Sequence, residues 1–394
     1  MILPTARSPH RAVHFFRGAI RVLARLGIVQ VIALSRKGRL TQFIERLEPF
    51  VRRKLVRKKW FPPLIIAINP VDSPNPELEK YFSRRVLFVR HDDHRKRIQW
   101  IRLGTENIPD TPLGPLKKVK RPGSPWEMTP SVTRRDDWSI ETGRLLDLMG
   151  VDQSKPVVLL AVRDATYYDA LRKTKGMEGG LEISVDTYIR NPDLATYSTA
   201  VSRLSEMGCV VVRFGSEMSA LPTELEGKVI DYAGNYRTPR GDLLLGRHCT
   251  MMLSGASGAW ILASMFNHPV AISNSYTPFL GGVTHRDRQI PQLLWSQRER
   301  RLLTFREMVL TAGKYSYARN CAYDEIYLVK NTPEELADHA EEVLLRLTGR
   351  FPESIEDKDL MKRFLEIQEL SPPPPHMRCP IGLSFLRRHQ DLVR

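Results

Sequence analysis

The chain has 394 residues, 42% of them apolar, and a formal net charge of +16. That length supports two domains with a sizeable core, and the recurring aliphatic runs exclude a disordered chain. No charge-free apolar run of about 18 residues occurs, so no membrane-spanning helix is expected. The four cysteines (Cys209, Cys249, Cys321, Cys379) stand far apart, which excludes a cysteine-rich zinc module, argues against a disulfide scaffold and fits a reducing, cytoplasmic setting.

The charge is uneven. Residues 1–60 hold 15 Lys and Arg against two Glu, so +13 of the +16 lies in this arm. Within it, residues 11–26 read as an amphipathic helix. Arg17, Arg21 and Arg25 share one face, and Val13, Phe16, Ile20 and Leu23 share another. A second basic cluster follows at Arg52, Arg53, Lys54, Arg57, Lys58 and Lys59. Such a helix suits an anionic membrane surface, with ordinary packing as the bland alternative. The clusters lack interleaved aromatics, so nucleic acid is not an expected partner.

Leu64–Ile68 reads as a buried strand and residues 86–89 as another. A proline-rich stretch over 103–137 reads as a connection, and residues 138–150 read as a helix ending at Gly150. From residue 155 the pattern becomes regular. Strands are expected at Val157–Val162, Cys209–Phe214, Val229–Tyr232, Thr250–Leu253 and Pro269–Ser273. Helices are expected from Asp193 to Gly208, around 242–247 and over Ala259–Phe266. Strands and helices alternating at this spacing mean βαβ units and a parallel sheet. Thr332-Pro333-Glu334-Glu335 offers a capping box with proline at the first helical position, and Leu336, Ala340, Val343, Leu344 and Leu347 form the stripe behind it. The remainder, charged and then proline-rich, reads as a tail wrapping back over the molecule.

In an open parallel sheet, ligands bind at the carboxyl ends of the strands. The residues expected there are Arg163 and Asp164, Arg213 and Gly215, Asp231 and Tyr232, Ser254 to Gly258, and Asn274. The turn Ser254-Gly255-Ala256-Ser257-Gly258 has two readings. It is either a tight connection or a cradle whose free amides hold a phosphate at a helix N-terminus. Arg163-Asp164 is likewise either an internal ion pair or a guanidinium for phosphate beside a carboxylate for a sugar hydroxyl. Arg190-Asn191-Pro192-Asp193 is either a capped helix start or part of the site. His91-Asp92-Asp93-His94 reads as a solvated loop. Asp357-Lys358-Asp359 lies in the charged tail, and no metal site is expected.

Six short motifs in one order carry a resemblance. They are Val162-Arg163-Asp164 with Tyr168, Tyr188-Ile189-Arg190-Asn191-Pro192-Asp193, Val212-Arg213-Phe214-Gly215, Ile230-Asp231-Tyr232-Ala233, Ser254-Gly255-Ala256-Ser257-Gly258 and Asn331-Thr332-Pro333-Glu334-Glu335. Together they resemble a family of bacterial glycosyltransferases of surface-polysaccharide or lipopolysaccharide assembly. The likeness covers about residues 155–350, and the segment Ile381–Leu386 is similar to that family's closing motif. Ala161 stands where the family often has His.

The resemblance implies an α/β fold of GT-B type, with two Rossmann-like domains whose parallel sheets face across a cleft; the basic amphipathic N-terminal helix, read from residue spacing, is expected in addition. The expected division is an arm at 1–60, an acceptor-side domain at 61–150, a nucleotide-sugar-binding domain at 151–350 and a tail at 351–394. The implied activity moves a sugar from a nucleotide-diphosphate sugar to a glycan or lipid-linked acceptor, at the cytoplasmic face of the inner membrane. Asp164 and Arg163 would be catalytic. Arg213, Gly215, Asp231, Tyr232, Ser254, Gly255, Ser257, Gly258 and Asn274 would bind the donor, and Arg190, Asn191 and Asp193 would border the cleft. No metal and no cofactor is implied. The alternative is a non-catalytic nucleotide-binding or membrane-surface scaffold.

Overall fold

The computed structural model describes residues 29–34, 40–56, 64–69, 73–90, 126, 138–163, 166, 191–216, 219–275, 282–311, 324–370 and 379–394. The amphipathic helix expected at 11–26 and the His91–His94 cluster lie outside them. The chain divides into two compact units, Met1–Asp136 and Asp137–Arg394.

In the first unit, β1 (Val29–Ala33), α1 (Leu40–Val56), β2 (Leu64–Asn69), α2 (Pro76–Ser83) and β3 (Val86–Arg90) alternate. The three strands form a parallel sheet in the order β1-β2-β3, with Val29 opposite Leu64 and Ile65 opposite Val86. Phe43, Ile44, Leu47 and Val51 of α1 recur at helical spacing and are buried, with Leu78, Tyr81 and Phe82 of α2 also buried. Phe43 stacks on Phe88 at 6.0 Å between ring centroids.

Thus β1 and α1 fall inside the span read as a basic arm. Arg52, counted there as a surface cation, is fully buried. Its Nε donates to Glu48 at 2.8 Å and its Nη1 to the Trp126 carbonyl at 2.8 Å. The charge run concealed a helix with an apolar face, since the arginine one turn after a buried glutamate is neutralised inside the unit.

The second unit begins with α3 (Ser139–Leu148), which lies within the 61–150 span expected as the acceptor-side domain. There follow β4 (Val157–Ala161), a 3-10 turn over Leu194–Tyr197 running into α4 (Ser198–Glu206), β5 (Val210–Arg213) and β6 (Ile230–Asp231). Then come α5 (Pro239–His248), β7 (Met251–Ser254), α6 (Ile261–Met265), β8 (Val270–Ser275) and β9 (Arg288–Pro291). These strands form one six-stranded, wholly parallel sheet in the order β6-β5-β4-β7-β8-β9. All five residues of β4 are buried, as its unbroken aliphatic sequence requires for a strand covered on both faces.

A small antiparallel sheet adds to the parallel one expected from the sequence. It joins β10 (Leu293–Ser296), β11 (Arg301–Leu302) and β12 (Ile326–Val329), with α7 (Phe305–Thr311) between the last two. The expected capping box is complete at the start of α8 (Pro333–Leu347): Thr332 Oγ1 accepts from Glu335 N and Glu335 Oε2 accepts from Thr332 N.

The segment read as a tail is part of the core. In α9 (Ile355–Gln368), Leu360, Phe364 and Ile367 recur at helical spacing and are buried. Leu383, Phe385 and Leu386 of α10 (Leu383–Arg388) are buried in the same cluster. Between them Ile381 bridges Gln289 in parallel beside β9. Surface charge on α9 masked its apolar stripe. Asp357, half of the acidic pair in that segment, caps α9 and takes two 2.7 Å hydrogen bonds from Arg387 Nε and Nη2.

Candidate functional site

Numbered from the first strand of the second unit, the order β6-β5-β4-β7-β8-β9 is 3-2-1-4-5-6. The winding reverses between β4 and β7, and a doubly wound sheet opens its ligand crevice at the carboxyl ends of those two strands. Ala161 and Ser254 are register partners there. Arg163 leaves β4 two residues later and is buried, 8% exposed. Since every strand of this sheet is parallel, Arg163, Arg213, Asp231, Ser254 and Asn274 all lie on its carboxyl edge. Asp164 and Arg190 lie outside the described residues.

Most of the predicted donor contacts are engaged within the protein. Arg213 is 1% exposed; its Nη1 meets Asp231 Oδ2 at 3.2 Å and its Nη2 donates to the Ser219 carbonyl at 2.7 Å. Gly215 lies in the loop that this second bond ties down. Asp231 Oδ1 also accepts from Gly234 N at 3.0 Å, capping a single helical turn. Tyr232 is buried, stacked on Phe214 at 5.8 Å, and its hydroxyl stands 3.0 Å from Asp242 Oδ1. Burial, and then Asp242, push that phenol far above its ordinary range.

The turn at Ser254–Gly258 is also self-bonded, as the tight-connection reading of its sequence would have it. Gly255 N donates to the Ala161 carbonyl at 3.1 Å and Ser257 N to the Gly255 carbonyl at 2.6 Å. Ala259 N donates to Ser257 Oγ at 3.3 Å. Ser254 Oγ lies within donating distance of two carbonyls, Gly255 at 2.9 Å and Ala161 of β4 at 3.1 Å, so its single proton is also taken inside the protein. The helix expected over Ala259–Phe266 is a 3-10 turn, Gly258–Trp260, followed by the five residues of α6. So short a helix gathers little dipole, and the amides of Gly255, Ser257 and Ala259 leading into it are occupied. Gly255 serves close packing instead. A Cβ on it would stand 3.3 Å from Tyr197 Oη and 3.5 Å from Pro192 Cγ.

Asn274 is buried too. Its Nδ2 donates to Tyr197 Oη at 3.2 Å, and Tyr197 Oη lies 2.8 Å from Ser273 Oγ. Asp193 caps the turn that leads into α4, accepting from Ala195 N at 3.0 Å.

Sequence reasoning missed Lys330, which follows β12. Its Nζ donates to the Asn191 carbonyl at 2.6 Å, and an ammonium has three donors, of which that carbonyl takes one. Partial burial lowers its pKa, and Asp193 opposes that. No local signal marks it, because the cation reaches residue 191 only through the fold. Lys330 and the Asn191–Asp193 segment therefore stand beside the carboxyl ends of β4 and β7, on the edge that carries Arg163.

A cavity of about 510 Å³ lies elsewhere, lined by residues that include Asp338, Glu341, Phe351, Arg387 and Arg388. No strand-end residue lines it, and its charged wall is paired: Arg388 meets Asp338 at 2.5 Å, and Arg203 meets both Asp338 and Glu341. Among the described residues no group of three or more His, Cys, Asp or Glu side chains could hold a metal ion, and no helix is long and apolar enough to cross a membrane.

No protein-family model matches the chain, and no curated protein sequence matches it. Among solved structures it is similar to the ADP-heptose lipopolysaccharide heptosyltransferase II of E. coli, with a TM-score of 0.43 and 12% identity over 81% of this chain and 100% of that one. It is also similar to the glycosyl transferase family 9 protein from Veillonella parvula, with a TM-score of 0.34 and 14% identity over 79% of this chain and 81% of that one. A third likeness is to the E. coli heptosyltransferase WaaC with ADP-2-deoxy-2-fluoro heptose, with a TM-score of 0.25 and 12% identity over 72% of each chain.

Proposed function

We propose that this protein is a glycosyltransferase that moves a sugar from a nucleotide-diphosphate sugar to a glycan or lipid-linked acceptor in surface-polysaccharide synthesis. The observation that carries the reading is Arg163, a buried guanidinium at the carboxyl end of β4, where the winding of the sheet reverses. The motif order around it supports the same reading. Arg213 is committed to Asp231 and Ser219. In this reading Arg163, at the strand end, and Lys330 meet the charge of the diphosphate.

In the reaction, an acceptor hydroxyl oxygen bonds to the anomeric carbon. The bond from that carbon to the diphosphate oxygen breaks, and the nucleoside diphosphate leaves with the electron pair. Cationic side chains stabilise the charge that develops on it. Asp164 takes the acceptor's proton as general base. No cofactor besides the donor enters this scheme. The basic residues of 1–60, Arg52 excepted, hold the enzyme peripherally at the anionic cytoplasmic face of the inner membrane.

A thermal-shift screen against nucleoside diphosphates and their sugars tests this, since a ligand that binds only the folded state raises its apparent stability. Stabilisation by at least one of them is expected. No response to any common nucleotide would count decisively against it.

The internal bonding of Arg213, Asp231 and the 254–258 turn favours a second reading, a non-catalytic nucleotide-binding or membrane-surface scaffold protein. Asp164→Asn separates the two. Turnover lost with nucleotide binding retained supports the enzyme, whereas a wild type that binds nucleotide and turns over no sugar supports the scaffold.

A further inference from the structure

Two polar atoms beside the switch point lack a hydrogen-bond partner among the described residues. They are Nδ2 and Oδ1 of Asn191, and both are buried. The backbone around them is held. Lys330 Nζ grips the Asn191 carbonyl at 2.6 Å. Pro192 packs towards Gly255, its Cγ 3.5 Å from where a Cβ on that glycine would stand. Asp193 caps the next turn at 3.0 Å. The carboxamide is thus positioned without being satisfied. Native proteins pair nearly all such buried atoms, and an orphaned one is a standing loss of stability.

The chemistry of the missing partner follows. A carboxamide presents a donor and an acceptor side by side. Phosphate oxygens only accept, so a phosphate would leave Oδ1 orphaned. A hydroxyl both donates and accepts, and two neighbouring hydroxyls satisfy both amide atoms at once. A protein group that fills this role is absent among the described residues, and the site lies where a doubly wound sheet takes its ligand. We infer that Asn191 is a substrate-specificity residue that reads a pair of neighbouring sugar hydroxyls on the donor. The inference rests on the donor-site reading above. The hydroxyl pair belongs either to the ribose of the nucleotide or to the transferred sugar.

The test uses full-length Asn191→Leu and Asn191→Asp, with ADP, UDP and GDP and the matching ADP-glucose, UDP-glucose and GDP-mannose as probes. Without ligand, Asn191→Leu should melt at or above the wild-type temperature, because it removes two orphaned polar atoms. Both variants should lose affinity for the sugar nucleotide that wild type binds, by about tenfold or more. An equal loss for the bare diphosphate assigns the hydroxyls to ribose; a loss confined to the sugar nucleotide assigns them to the transferred sugar. A less stable or unfolded Asn191→Leu overturns the inference, because the carboxamide would then be structural. Unchanged affinity in folded variants overturns it while leaving the donor site standing. A wild type that binds none of the probes removes the donor site itself and this inference with it.

Discussion

Asn331 and Asn274 exchange hydrogen bonds in both directions, backbone to side chain. Asn331 Oδ1 accepts from Asn274 N at 2.6 Å, and Asn274 Oδ1 accepts from Asn331 N at 2.9 Å. Asn274 has a left-handed φ of 51°, which asparagine tolerates better than most residues. The pair clamps the end of β8 to the start of α8, so Asn274 is structural, although it stands at a strand end.

Asn331→Ala should therefore act on stability. It orphans Asn274 N and the Pro291 carbonyl, which takes a 2.9 Å bond from Asn331 Nδ2. Loss of these bonds costs about 2–4 kcal/mol in total. A urea midpoint within error of wild type would remove the clamp from the account.

Arg213→Met separates a structural arginine from a ligand-binding one. The guanidinium is 1% exposed while Asp231 keeps partial access to water. Its removal should cost about 3 kcal/mol, towards the low end for a broken buried pair because Asp231 can rehydrate. Nucleotide affinity of the folded variant should be close to wild type. Unchanged stability with lost affinity would return Arg213 to the donor site.

Glu342→Gln should loosen the C-terminal helix. The carboxylate is wholly buried; Oε1 accepts from Leu383 N at 3.0 Å and Arg346 Nε at 2.9 Å, and Oε2 accepts from Ser384 N at 2.8 Å. It thus receives the first amides of α10, where negative charge is favoured. The amide variant turns a donor towards one set of these donors. Hydrogen exchange of residues 383–388 should speed up by at least about tenfold, the equivalent of about 1.4 kcal/mol. Unaltered exchange there would show that apolar packing alone seats α10.

His339 should set an acid limb of the stability curve. It is fully buried, and burial lowers its pKa from 6.5 to about 4, with Glu342 opposing and Arg288 assisting. The folded ring binds fewer protons than the unfolded one across that interval. Its contribution is therefore complete above about pH 6.5 and is lost as pH falls towards 4, amounting to about 3 kcal/mol. His339→Leu should flatten this limb in urea titrations between pH 4 and 7. A parallel curve for the variant would place the acid sensitivity elsewhere.

Much of the architecture was legible. The strands β2 to β5, β7 and β8 were marked by short aliphatic runs, and α8 by a capping box whose bonds span only three residues. Asp193 as a cap is one of the two readings its sequence allows, and the structure holds it. The stripe of α9 was hidden by dense surface charge, and the short strands of the antiparallel sheet carry too few residues to show a period.

The site divides along the same line. Local pattern was enough to put Arg163, Arg213, Asp231, Ser254 and Asn274 on one edge of a parallel sheet, because strand direction and side-chain period are properties of neighbouring residues. Which of these remain able to meet a ligand was decided only by folding. Arg213 finds Ser219 and Asp231, Asn274 finds Asn331, and Lys330 reaches back to Asn191 across 139 positions of chain. A buried polar group takes whatever partner the packed structure brings within about 3 Å, and periodicity along the chain holds no record of that distance.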